Sequence, residues 1–512
     1  MDVRSLMRRS ARFYADEEAI AHGDARLTFA EAWERGLRLA NGLLALGLQP
    51  GDRVGVLEDN CLSAADAYLG LTAANLVRVP LYPRNSREAH AHMLGHTGCR
   101  AVTTTVPYAD TVVGLDGELP ALEHVLVRDD GYERWLAAQD STDPDPPVRE
   151  SDWYIIRHTA GTTGKSKGVA YSHKAWLDAG RDWFYDWPPV EPGDKTLHVS
   201  PISHGSGYLF TPSWLGGAAN HLLDRFDPEA CLDLLEREGI NYMFAVPAVL
   251  AALARHPSAR GRDWSRLKVL NVGGAPIADD TALTARAVFG DVLYQVYGQT
   301  EAVPITMIGP RQWFASVEGS NPLRSAGRPL VFADVEIQDE NGVPVPAGEP
   351  GEVAVRCDGQ MVGFWDNEEA TKERLVNGFV LTGDIGCLDE RGYLYILDRK
   401  DDMIVSGGFN IYPAELENVI MDHPAVIEAA VFGIPSDKWG ETPCAVVTVE
   451  ALGAITEADV IERCRQRLGS YKKPSTVVLQ TEPLPRTPVG KLARKVLREP
   501  YWAGVDRRVS GA

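Results

Sequence analysis

Thr159-Ala160-Gly161-Thr162-Thr163-Gly164-Lys165-Ser166-Lys167-Gly168 follows an apolar run, Trp153 to Arg157, that reads as a strand. Its glycines let backbone N–H groups converge on an anion, its threonine hydroxyls add donors, and its lysines add charge. That combination suits a nucleotide polyphosphate. It is not a Walker A loop, because the glycine such a loop requires at position 159 is a threonine. Gly164-Lys165-Ser166-Lys167-Gly168 also fits G-x-S-x-G, the nucleophile elbow of serine hydrolases, but two lysines around a buried nucleophile speak against that reading. On texture alone the stretch also passes for a surface loop.

Working outward, strand-like runs alternate with helical ones: Thr196 to Ile202, Tyr242 to Val246, Leu267 to Val272 and Val292 to Tyr297, with an amphipathic helix over Pro228 to Glu238. Upstream, Thr28 and Glu31 have capping-box spacing, Trp33, Leu37, Ala40 and Leu44 recur at helical period, and Asp52 to Leu57 reads as a strand. The alternation predicts parallel α/β layers. From about Val331 the sequence turns β-rich, with turn signals at Asp339 to Gly342, Pro346 to Gly351 and Asp389 to Gly392. This predicts a smaller antiparallel or barrel-like region ending at Leu394 to Leu397. After the charged segment Asp398 to Asp402, helix and strand runs restart at Pro413 to Met421, Val426 to Phe432, Pro443 to Val449, Ala458 to Leu468 and Val477 to Gln480. The fold class expected is therefore α/β. A large N-terminal domain, 1–397, holds layered α/β subdomains plus a β-rich subdomain; the segment 398–401 leads to a small C-terminal α+β domain, 402–512.

A chain of 512 residues has room for about three structural units. Its 45% apolar and 24% charged content is that of an ordinary folded protein with a large core. No stretch approaches the roughly 18 uninterrupted apolar residues of a membrane span, and Met1 to Arg12 has no apolar signal core, so the expected address is the cytoplasm. The seven cysteines are scattered without a CxxC pair, which predicts reduced, mostly buried thiols. A net charge of -20 disfavours nucleic acid and anionic membranes as partners. An anionic substrate must then meet a locally placed lysine, arginine or metal.

Thr159-x-Gly161-Thr162-Thr163-Gly164-x-x-Lys167-Gly168 resembles the signature loop of the adenylate-forming enzymes: acyl-CoA synthetases, non-ribosomal adenylation domains and luciferases. The remaining motifs of that superfamily follow in its order from about Leu27 through Arg498. The resemblance implies that Thr159, Gly161, Thr162, Thr163, Gly164 and Lys167 hold phosphates and that Gly274, Ala275 and Pro276 border the adenine. In Tyr297-Gly298-Gln299-Thr300-Glu301 it implies that Tyr297 packs on the adenine, Thr300 contacts the phosphate and Glu301 holds Mg2+. Asp384 and Arg399 are implied to contact the ribose, and His204 to lie beside the reacting carboxylate. Lys491, in Pro485 to Lys491, is implied to enter from the small domain and touch both carboxylate and α-phosphate.

The same resemblance makes Asp401, in the segment 398–401, a hinge about which the small C-terminal domain is mobile, and sets Gly407 and Gly408 beside a tunnel for the pantetheine thiol. An acyl pocket is expected around Ser203, His204, Gly207, Tyr208, Asn271, Gly273, Ala302 and Pro304, whose small and aromatic mix suits a compact aryl or cyclic acid. The implied reaction is ATP-dependent, with Mg2+: an acid becomes an acyl-AMP with release of pyrophosphate, and the acyl group passes to CoA. An amine or a carrier protein is the alternative acceptor, although no fused carrier segment is seen; a silent nucleotide-binding module is the reading of a different class. The chain departs from the family pattern in having Ser166 where a proline is usual and Arg157-His158 where a tyrosine is common. Trp183, Phe184, Tyr185 and Trp187 either wall the acyl pocket or pack a helix, and packing is favoured.

Overall fold

Thr28 begins the helix Phe29–Ala45 with both halves of the capping box: its hydroxyl accepts from Glu31 N at 3.2 Å, and the Glu31 carboxylate accepts from Thr28 N at 2.9 Å. The structure, a computed structural model, describes residues 1–159, 166–400, 402–407, 409–486 and 492–503. Two compact units emerge. The first comprises Met1–Val335, Val355–Leu381 and Arg391–Leu394; the second comprises Glu336–Ala354, Thr382–Glu390 and Tyr395–Ala512.

The first unit holds two large sheets. In the nine-stranded sheet the order is Arg328–Pro329, Ala302–Ile308, Leu293–Gln299, Val269–Gly273, Tyr242–Ala245, Lys195–His198, Ala219–Leu222, Glu18–His22 and Ala25–Thr28. Leu293–Gln299 through Glu18–His22 run parallel, and antiparallel strands close both edges. The inner strands Val269–Gly273 and Tyr242–Ala245 are buried along their whole length, which is why they read as continuous apolar runs. The seven-stranded sheet runs Gly363–Phe364, Gly168–Ser172, Trp153–His158, Val77–Pro80, Arg53–Leu57, Ala101–Thr105 and His124–Arg128. Here Trp153–His158 and Gly168–Ser172 pair antiparallel with His158 opposite Gly168.

A third, five-stranded sheet is built from Ala333–Gln338, Gly351–Cys357, Phe379–Leu388, Leu375–Val376 and Leu394–Arg399, in the stretch expected to be β-rich. In the second unit another five-stranded sheet is built around the long antiparallel pair Val426–Ser436 and Gly440–Val449. Leu416 and Ile420 of helix Pro413–Met421 and Val460 and Cys464 of helix Glu457–Leu468 belong to its core. All seven cysteines are free thiols, five of them buried.

One strand is shorter than its sequence suggests. Thr196 to Ile202 reads as one run, yet the strand ends at His198 and a turn follows. The Asn60 carboxamide takes the ladder's place, donating to His198 O at 2.9 Å and Ser200 O at 3.0 Å and accepting from Ile202 N at 2.8 Å. Pro201 has no N–H to continue the pairing.

Five histidines are buried in the first unit, and three of them are pushed far below the usual imidazole value. Burial pushes His158 down to about 3, with help from His96 and His92, and pushes His173 and His198 down to about 4. A histidine neutral when folded but titrating near 6.5 when unfolded contributes stability that is whole above that pH. That stability is lost as the pH falls toward the depressed value, at about 1.4 kcal/mol per pH unit for each residue. The urea midpoint is therefore expected to fall markedly from pH 7 to pH 5; a flat profile over that interval would contradict the burial of these rings.

Candidate active site

Thr300 and Glu301 form the two-residue turn of a hairpin between Leu293–Gln299 and Ala302–Ile308, with Gln299 opposite Ala302. Both turn carbonyls are held: Tyr171 Oη donates to Thr300 O at 2.7 Å, and Met361 N donates to Glu301 O at 2.8 Å. A hairpin tip is usually solvated, yet Glu301 is only 7% exposed. Among the described residues no cation lies within ion-pair range of its carboxylate. A buried carboxylate without a protein counter-charge suits a hard, oxygen-preferring cation such as Mg2+. Among the described residues no group of three His, Cys, Asp or Glu side chains could hold a metal ion by itself.

The turn expected to border adenine follows the next strand. Gly273 lies opposite Val296, which brings the Gly274-Ala275-Pro276 turn beside Tyr297. Gly274 has φ +85°, a conformation open to glycine, and with Ala275 and Pro276 it is exposed, while Tyr297 is half-buried. A bare backbone turn next to a partly exposed aromatic ring can take a flat heterocycle. Gly298 follows Tyr297 on the strand Leu293–Gln299.

Of the phosphate loop, Thr159 and Lys167 are described: Thr159 N donates to Lys167 O at 3.0 Å, and the exposed Lys167 ammonium stands 5.3 Å from the Phe364 ring centre. Gly161, Thr162, Thr163 and Gly164 lie outside the described residues, as do Asp401, Gly408 and Lys491.

Ser203 and His204 sit in the turn that Asn60 shapes, and His204 meets the Tyr82 ring edge-on at 5.2 Å between centres. A Cβ on Gly207 would lie 1.9 Å from Ile202 O and 2.3 Å from Tyr68 Oη, the same hydroxyl that bonds Ile202 O at 2.8 Å. Gly207→Ala is therefore expected to lower unfolding free energy by at least about 1–3 kcal/mol. Equilibrium urea unfolding checks this, and an unchanged midpoint would refute the close approach. Tyr208 is stacked with Trp176 and Trp183 at 5.1 and 5.8 Å. Trp183 meets Phe244, which lies opposite Asn271 on the neighbouring strand. Gly273, Ala302 and Pro304 lie on the two sheet strands that flank the Tyr297 strand. Trp183 and Trp187 are core residues with Phe184 packed on them, whereas Tyr185 is exposed. The aromatic cluster thus packs its helix, and Trp183 also reaches Tyr208.

In the second unit, Arg399 Nε and Asp384 Oδ1 are 2.7 Å apart. The two residues expected at the ribose are thus ion-paired, with Arg399 half-exposed and Asp384 buried. Burial pushes the neighbouring Asp398 up to about 6, although Arg494 and the amides of Ala414 and Arg399 stabilise its charge. Lys400 and Asp402 flank position 401; Lys400 pairs with Glu352 at 2.8 Å and Asp402 with Arg494 at 3.4 Å. Gly407 adopts φ +59°, and its amide donates to Trp439 O at 2.8 Å. Sequence reasoning missed Asn60, Tyr68 and Tyr82, which shape the His204 turn from distant parts of the chain, and gave Arg157 no role beyond its departure from the usual tyrosine.

With this geometry in view, the chain belongs to the AMP-binding enzyme family, which matches residues 7–365; the AMP-binding enzyme C-terminal domain matches residues 415–491. It is an ATP-dependent acid ligase of the AMP-forming kind, using Mg2+. It forms an acyl-AMP and passes the acyl group to CoA or an amine. A feruloyl-CoA synthase of Amycolatopsis sp is 35% identical over 503 residues, covering 96% of this chain and 98% of that protein. A long-chain-fatty-acid–CoA ligase of Mycobacterium tuberculosis is 32% identical, covering 94% and 95%. Among solved structures, the amide bond synthetase McbA from Marinactinospora thermotolerans superposes with a TM-score of 0.86 at 29% identity, covering 97% and 99%. No helix among the described residues is long and apolar enough to cross a membrane.

Proposed function

We propose that this ligase activates a compact aryl or cyclic carboxylic acid and transfers the acyl group to CoA. The observation that carries the adenylation reading is the buried Thr300–Glu301 turn beside the bare Gly274 turn and the Tyr297 ring. A carboxylate is a weak nucleophile and ATP is polyanionic, so attack on the α-phosphorus depends on charge neutralisation and in-line positioning. In this reading Thr159, Gly161, Thr162, Thr163, Gly164 and Lys167 bind the phosphates, Thr300 orients the α-phosphate, and Tyr297 and Gly274 to Pro276 hold the adenine. Glu301 would hold Mg2+, which supplies positive charge to the phosphate oxygens. Asp384 and Arg399 bind the ribose, and His204 positions the acid oxygen. Lys491 brings its charge to the reacting oxygens.

We take residues 1–397 as the adenylation core and residues 402–512 as a mobile domain that turns at Asp401 between the two half-reactions. Lys491 serves the first, and Gly407 and Gly408 approach the acceptor thiol in the second. The related feruloyl-CoA synthase supports an aryl acid and CoA. Likeness to an amide bond synthetase favours an amine as the second reading of the acceptor. We take the enzyme to be cytoplasmic.

The test is acid-dependent ATP–pyrophosphate exchange across a carboxylate panel, followed by product analysis with CoA or with amines. Exchange that requires an added acid, with thioester formed from CoA, is the expected result. Amide product without thioester would move the acceptor to an amine, and no acid-dependent exchange would overturn the adenylation reading.

A further inference from the structure

Arg157 is a fully buried guanidinium, 1% exposed, on the strand that leads into the phosphate loop. Its head lies over the Tyr208 ring at 4.2 Å and near the Trp176 ring at 5.9 Å. Neither Nε nor Nη1 has a hydrogen-bond partner, and no carboxylate among the described residues pairs with it. Guanidinium stays charged when buried, so burial cannot be relieved by loss of a proton. An aromatic face offsets part of the lost hydration, but a buried cation ordinarily has an anion beside it.

Further orphaned polar groups are linked to Arg157 through the aromatic side chains. Tyr208 Oη, Trp183 Nε1 and both polar atoms of the Asn271 carboxamide are buried without partners. Arg157 touches Tyr208, Tyr208 stacks on Trp183, Trp183 meets Phe244, and Phe244 lies opposite Asn271. Folded proteins leave few buried polar groups unsatisfied, and a contiguous set rich in donors is the complement of a ligand rich in acceptors.

We infer that the acid taken by this enzyme carries a second anionic oxygen group, a carboxylate or its equivalent, which pairs with the Arg157 guanidinium beside Tyr208. This rests on the adenylation reading and narrows its substrate class to acids charged at both ends. The reacting carboxylate itself does not fit this place. An anion locked by a planar bidentate fork is stabilised as an anion and is a poorer nucleophile. Arg157 is thus a specificity-determining residue. It also answers the requirement, set by a net charge of -20, that an anionic substrate find a local cation.

The experiment compares succinate, adipate and terephthalate with their monomethyl esters, which keep the shape and remove one charge, in acid-dependent pyrophosphate release. In the wild-type enzyme kcat/KM for a preferred diacid should exceed that of its ester by about a hundredfold or more, since a site built for a polar group rejects the analogue lacking it. Arg157→Met should bring that ratio toward one, and Arg157→Lys should keep part of it. Equal use of diacid and ester by the wild type would overturn the inference, as would an Arg157→Met variant that slows both by the same factor. If Arg157→Met does not fold, Tyr208→Phe serves, and a reduced ratio is again expected. Should no acid release pyrophosphate, the adenylation reading fails by itself. The inference is then judged by thermal shift without ATP: a diacid that raises the Tm of the wild type but not of Arg157→Met supports it, and absence of a diacid-dependent shift overturns it.

Discussion

Lys491→Ala is expected to lower acid-dependent pyrophosphate release by about a hundredfold to a thousandfold, while leaving thermal stability unchanged. The size follows from the loss of one preorganised positive charge at oxygens that gain negative charge in the transition state, worth about 3–4 kcal/mol in a water-poor site. Bulk water at the same separation would return only about 1 kcal/mol, so the expected loss also gauges how dry the reacting centre is. The effect should fall on kcat more than on KM for ATP, because in the proposed reading Lys167 and the phosphate loop still bind ATP in the variant. Preformed acyl-AMP offered to the variant with CoA should still be consumed, since the first half-reaction is bypassed. Undiminished pyrophosphate release would remove Lys491 from the chemistry.

Glu301→Gln carries the second large effect. The substitution keeps shape and hydrogen-bonding capacity and removes the charge from a side chain that is 7% exposed. Loss of an unpaired buried charge does not destabilise a fold, so Tm should hold or rise. Turnover should nevertheless fall by about a hundredfold or more, with KM for ATP raised and partial recovery at high Mg2+, because the cation would lose its protein anchor. A variant that loses stability together with activity would make Glu301 a structural residue. Full activity at ordinary Mg2+ would place the cation elsewhere.

Much of the architecture could be read from local pattern. The helix after Thr28, the helices Pro228–Arg237 and Pro413–Met421, and the buried strands Tyr242–Ala245 and Val269–Gly273 appear within a residue or two of their expected places. These elements depend on caps and on hydrophobic runs carried within a few residues. Thr196 to Ile202 departs because its last residues are apolar enough for a strand but bond to Asn60, which lies 142 residues before Ile202. No window along the chain contains that competitor.

The candidate site divides in the same way. Residue types at fixed spacing, such as Thr300 with Glu301 or Gly273 with Gly274, were visible from order alone, because a turn or a strand end is a local event. Their mutual placement was not. Strand order in the nine-stranded sheet brings Gly274 beside Tyr297, and hydrogen bonds from Tyr171 and Met361 hold the turn that buries the Glu301 carboxylate.

The linear order of residues by itself determined the class of chemistry and the kinds of element, since propensity, caps and motif spacing act over a few residues. Only the tertiary structure decided that Arg157 lies beside Tyr208, 51 positions later in the chain, with no carboxylate among the described residues to pair with it, and that Asn271 turns an unsatisfied carboxamide toward the same sheet face as Phe244. Whether a charge is solvated or stranded depends on what long-range packing sets around it, and packing of that kind leaves no period in the sequence.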